Sequence, residues 1–85
     1  NFMKPTIGRI VIYKTTEADR TLARTAANHN VQEELPAIVV AVWSETCINV
    51  RVFSDGNSLE WKTSILQGEQ EGQWHWPVVV FANPK

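Results

Sequence analysis

The chain has 85 residues, with 8 Lys+Arg against 9 Asp+Glu and a formal net charge of −1. Hydrophobic residues make up 44% and charged residues 20%, the balance of one folded domain rather than of a disordered chain. This near-neutral charge excludes nucleic-acid binding by bulk charge alone. No run approaches the ~18 apolar residues of a membrane helix, and the single Cys47 excludes both an internal disulfide and a multi-cysteine zinc site.

A chain this short has a marginal core, and subunit association is a common extra source of stability. No basic segment followed by an apolar run marks a secretory signal, and one unpaired cysteine fits a reducing compartment, so a cytoplasmic protein is expected.

Residues Ile7 to Lys14 (IGRIVIYK) read as a first strand. Ile10 and Ile12 share one side and Arg9, Val11 and Tyr13 the other, with Gly8 placed for a bend. Thr15 to Glu34 is polar and forms an insertion. Thr16 followed by Asp19 resembles a helix cap, with Ala18, Leu22 and Ala26 as a thin apolar stripe and Asn28 or Asn30 as a stop. Four threonines in the stretch favour a loop instead, so a short helix and a loop both stay open. Leu35 to Trp43 (LPAIVVAVW) is apolar on both sides, as in a central strand that is covered twice or faces a partner. Pro36 belongs near its start.

Ser44 to Thr46 makes a polar turn, and Cys47 to Ser54 alternates cleanly: Ile48, Val50 and Val52 against Asn49, Arg51 and Phe53. Asp55-Gly56 supplies a tight turn into Leu59 to Leu66. There Leu59, Trp61, Thr63 and Ile65 share one side and Glu60, Lys62 and Ser64 the outward one. This predicts a β-hairpin. The polar loop Gln67 to Gly72 leads into Gln73 to Phe81 (QWHWPVVVF), where Pro77 breaks the pairing. The apolar run from Val78 to Phe81 needs a cover, from the fold or from another subunit. Five short strands of this kind predict an all-β, strongly bent, five-stranded antiparallel barrel, single-domain over residues 1–85, with the insertion after strand one.

Candidate sites follow from side-chain type. Trp61 and at least one of Trp74 and Trp76 are expected in the core. An exposed indole beside His75, or Tyr13, would offer a stacking platform. Asn49, Arg51 and Lys62 would add hydrogen bonds and charge on a ligand face. The competing reading of that face is a solvated surface with cross-strand ion pairs. His29, His75 and Cys47 are too dispersed for a metal signature, no serine sits in a nucleophile elbow, and the glycines form no phosphate loop, so neither catalytic residues, metal nor cofactor are expected.

Gly8 to Tyr13, Ala37 to Val39 and the ending Gly72-Gln-Trp-His-Trp-Pro77 together resemble a group of small bacteriophage-encoded proteins. Those share a Gly-x-hydrophobic-Val-x-Tyr strand, a variable loop, an Ala-Ile-Val strand and a Gly-x-Trp-His-Trp-Pro ending. The resemblance spans most of the chain outside Thr15 to Glu34 and implies no functional residue. The strand order is also similar to SH3-like barrels, including the Sm-like RNA-binding proteins. The Sm Asp-then-Asn loop is not reproduced, and Ile65-Leu66-Gln67-Gly68 lacks the basic residue before its glycine. The expectation is a non-enzymatic binding module, a homo-oligomer taking RNA or a nucleotide-containing ligand through Tyr13, Asn49, Arg51, Lys62, Trp74, His75 and Trp76. The alternatives are a phage structural or protein-interaction protein, and an oligomeric sponge for a signalling nucleotide.

Overall fold

A computed structural model describes residues 4–25, 32–54 and 59–77. Within them lie β1 (Ile10–Lys14), α1 (Glu17–Thr25), β2 (Glu34–Val42), β3 (Cys47–Phe53), β4 (Leu59–Leu66) and β5 (Trp74–His75). The strands form one antiparallel sheet in the order β4-β3-β2-β1-β5, as expected of a small all-β barrel. The expected turn at Asp55-Gly56, the helix stop at Asn28 or Asn30, His29 and the run Val78 to Phe81 lie outside the described residues.

Gly8 takes φ +96° in the turn before β1, a conformation that L side chains rarely adopt, and its amide donates to the Val39 carbonyl. Pairing of β2 with β3 starts at Ala37, so the N–H that Pro36 lacks is not missed on that side. After β4 the chain turns back: Gln67 bridges Trp74, and the Gly68 amide donates to the Trp74 carbonyl at 2.8 Å. The two ends of the sheet order therefore meet at one end of the molecule, and the sheet curls into a half-barrel.

The inside of the curl is the core. Val11 and Tyr13, Leu35, Ala37 and Val39, Ile48, Val50 and Val52, Ile65 and Trp74 are all buried there. Trp74 is 0% exposed, its indole N–H donates to the Thr46 carbonyl at 3.0 Å, and Trp76 packs edge-on against it. One of the paired tryptophans thus fills the core, as the sequence indicates. Burial of the ring and its hydrogen bond act together, since a buried indole without a partner would lose a hydrogen bond.

The insertion holds a helix. Thr16 caps it reciprocally: its hydroxyl accepts from the Asp19 amide at 3.1 Å, and its own amide donates to Asp19 Oδ2 at 3.0 Å. Of the apolar stripe expected of the helix, Ala18 is exposed, while the Leu22 side chain and Ala26 lie outside what is described. Polar contacts anchor the helix: Arg20 donates to the Thr15 carbonyl and hydroxyl, both at 2.9 Å, and pairs with Glu71 at 3.0 Å.

Two irregularities set the curl. Val39 faces Val50 but Ala41 faces Asn49, so Val40 is an extra residue in β2. Val50 faces Lys62 but Ile48 faces Ile65, so β4 also carries one residue too many, around Thr63 and Ser64. Ser64 accordingly takes φ 56°. Asn49 sits between these bulges, 6% exposed. Its Oδ1 accepts from the Ser64 amide at 2.7 Å, the Trp43 indole at 2.9 Å and the Thr63 hydroxyl at 3.1 Å.

The bulge in β4 overturns one expectation. Strict alternation puts Trp61 and Ile65 on the same side, and so both in the core. The extra residue reverses the phase between them. Ile65 is buried, whereas Trp61 is 56% exposed.

Replacing Asn49 with Ala strands three donors. It should lower the unfolding free energy by about 2 kcal/mol in a urea titration. Trp43, released from Asn49, should shift its fluorescence to longer wavelength in the folded state.

Candidate binding face

Residues directly opposite in an antiparallel pair share a side of the sheet. The registers place Ile10 against Ile38, Ile38 against Arg51, and Arg51 against Trp61. These four side chains form one row across the outer face. Ile10 is exposed, Ile38 half-buried, and Arg51 and Trp61 exposed. Phe53 lies next along β3 on the same side, also exposed. In the other direction comes Asn49, with the Trp43 indole fixed to it and 64% exposed. Arg51 is thus framed by apolar and aromatic groups. It makes no ion pair, hydrogen bond or ring contact among the described residues.

The other expected site residues lie elsewhere. Lys62 does not share the side of Arg51. It faces Val50 and points inward, donating to Asp19 at 2.7 Å and pairing with Glu60 at 3.3 Å. The same phase shift that exposes Trp61 turns Lys62 away from the outer face. Tyr13 is 3% exposed, so its ring offers no stacking surface; its hydroxyl donates to Asp19 at 3.0 Å and Lys62 lies 5.8 Å from its ring centre. Trp74 is covered by the core, and Asn49 spends its carbonyl oxygen on the bulge. Trp76 is half-buried, with the Arg9 guanidinium 5.9 Å from its ring centre.

His75 faces Ile12 at the β5 edge of the outer side, 3.0 Å from Glu34. The structure therefore joins Tyr13 with Lys62 through Asp19 on the inside, and Trp74 with Trp76 in and beside the core. Of the expected set, Arg51 and the rim residue His75 remain on the outside. Trp43, Phe53 and Trp61 complete that face. Sequence reasoning missed Trp61 as an exposed group because nothing in LEWKTSIL announces a bulge. The one signal for Trp43 was the density of four tryptophans in 85 residues.

Electrostatics separate the two sides. Burial works against charge on Asp19, but bonds from Lys62, the Thr16 amide and Tyr13 outweigh it and hold the carboxyl below its usual range. Burial and the bond to Asp19 push the Tyr13 phenol well up. Lys62 is partly desolvated, yet Asp19 and Glu60 raise it. The inner polar cluster is thus an internally neutralised clasp between α1, β1 and β4. Burial also opposes protonation of His75, but the Trp76 carbonyl and Glu34 more than offset this and raise it.

No family model, curated protein or solved structure matches this chain. No helix among the described residues is long and apolar enough to cross a membrane. Among the same residues no three His, Cys, Asp or Glu side chains gather as a metal site.

Because Asp19 titrates lower when folded, its contribution to stability is full above the unfolded value, near 3.9, and is lost as pH falls through the folded one. Asp19→Asn should therefore be less stable at neutral pH and show a shallower fall in melting temperature below about pH 4. His75 has the opposite sign. Its pairing with Glu34 is fully present below about pH 6.5 and is lost as pH rises through the higher folded value. Melting temperature should fall less on going from about pH 6 to about pH 8 in His75→Gln than in the parent chain.

Proposed function

We propose that the protein is a non-enzymatic binding module that takes a nucleotide-containing ligand, RNA fragments included, on the outer sheet face. The observation that carries this reading is the cross-strand pair of Arg51 and Trp61, a guanidinium unpaired among the described residues beside a half-exposed indole. A guanidinium binds phosphate oxygens in a fork, and an indole stacks on a base for about 1–3 kcal/mol. Phe53 and Trp43 extend the stacking surface; strands hold Arg51, Trp61 and Phe53, and the bond to Asn49 fixes the Trp43 indole just past β2. The contacts differ from those read from side-chain type alone: Trp61, Phe53 and Trp43 take the place of Tyr13, Trp74 and Lys62. Architectural similarity to Sm-like barrels is compatible with an RNA ligand, but no RNA-contacting residue is carried over from it.

A second reading has its own support. The row continues into Ile10 and Ile38, with Val40 exposed nearby, and a patch rich in Trp, Phe, Ile and Arg but poor in Lys and Glu has the composition of a protein interface. Under this reading the face docks another protein, a second copy of the chain or a phage structural partner, and needs no ligand.

Titration with a short oligoribonucleotide should quench tryptophan fluorescence, and Arg51→Ala and Trp61→Ala should each weaken binding about tenfold or more. No quenching, together with a dimer or larger species in native mass spectrometry that Trp61→Ala dissociates, would replace the nucleotide reading with the protein one.

A further inference from the structure

Building on the nucleotide reading, we infer that the ligand is short, of the size of a mononucleotide or dinucleotide, and is not a polymer followed along its backbone. The argument is the disposition of positive charge around the face. Proteins that track single strands line the path with several cations, each taking one phosphate. Here every other cation with a described side chain has a carboxylate or an aromatic ring beside it. Lys4 pairs with Glu45, Arg20 with Glu71, and Lys62 with Asp19 and Glu60 on the inner side. Arg9 lies over Trp76. Lys14 stands opposite Glu34 in the β1–β2 register and within the field of Glu71. Among the described cations Arg51 alone has neither an ion pair, a ring contact nor a carboxylate opposite it in register, and it lies in the middle of the face.

The routes by which a strand could leave Arg51 are unfavourable as well. Across the sheet the next side chains are Ile38 and Ile10, which offer neither charge nor hydrogen bond. Beyond Ile12 lies the rim of Glu34 and His75, where the carboxylate would face an approaching phosphate. In the Trp43 direction the next charges are the exposed Glu45 and its partner Lys4. One phosphate and one or two stacked bases satisfy what the face presents; additional phosphates meet apolar groups or cations that already have a carboxylate beside them. The fit is to a small anionic aromatic molecule.

The test compares uridine 5′-monophosphate with deca-uridylate by tryptophan fluorescence over a salt series. The expected result is per-site affinities within about a factor of ten, with a logarithmic salt slope near −0.7 for the decamer, as for one neutralised phosphate, and no steeper for the monomer, which carries no condensed counterions. Arg51→Ala should weaken both about tenfold while leaving the circular dichroism and melting temperature unchanged, since Arg51 is exposed and makes no hydrogen bond or ion pair among the described residues. A decamer binding about a hundredfold tighter per site with a slope steeper than about −2 would overturn the short-ligand inference and leave the nucleotide reading standing. Failure of both probes to bind would remove the nucleotide reading itself, and this inference with it.

Discussion

The hydrogen-bonded centre at Asn49 governs both sides of the sheet. Its Oδ1 gathers the Ser64 amide, the Thr63 hydroxyl and the Trp43 indole at the place where β2 and β4 each carry an extra residue. A bulge leaves backbone groups without their ladder partners and increases local twist. A buried amide side chain that accepts from the bulged strand makes such a break tolerable in a core this small. Because alternation is strictly two-residue, one inserted position decides which side every later side chain occupies. Trp61, Lys62 and Ile65 owe their positions to it.

From that constraint the division of labour follows. Inward, the curl is filled by branched aliphatics and Trp74, and its remaining mouth is bridged by Asp19, Tyr13 and Lys62. The helix is tied on by capping and ion pairs, and this explains how a polar insertion with a thin apolar stripe is accommodated. Outward, the face is left with aromatic and aliphatic groups around the guanidinium of Arg51, which has no ion pair among the described residues. A polar surface would have been the cheaper solution in water, so the apolar composition of this face is the feature that calls for a functional explanation.

The explanation we propose is one of recognition. Rigid strands hold the indole of Trp61 and the guanidinium of Arg51 side by side, so a planar anionic ligand would bind without the entropic cost of ordering a loop. The aliphatic part of the row gives the face a second character, and the balance between stacking and protein docking turns on how much of Ile10 and Ile38 a ligand covers.

Local sequence was sufficient wherever local physics decides. Alternation in CINVRVF and the density of short β-branched runs identified the strands and the all-β class, and the Thr16–Asp19 pattern offered a helix start beside the loop alternative, because each signal depends on neighbours two to four residues apart. Arg51 was legible as an outward cation for the same reason. The side taken by Trp61 and Lys62 was not, since it depends on a bulge fixed by a side chain on the adjacent strand. The burial of Tyr13 and Trp74 was likewise decided by the closing of the sheet through Gln67 and Trp74, a contact between segments seven residues apart in sequence but joined only by the tertiary curl. The amino-acid sequence by itself determined the elements and their chemistry; the tertiary structure alone decided which aromatic groups face water, because strand phase across a bulge is a property of pairing and not of any one strand.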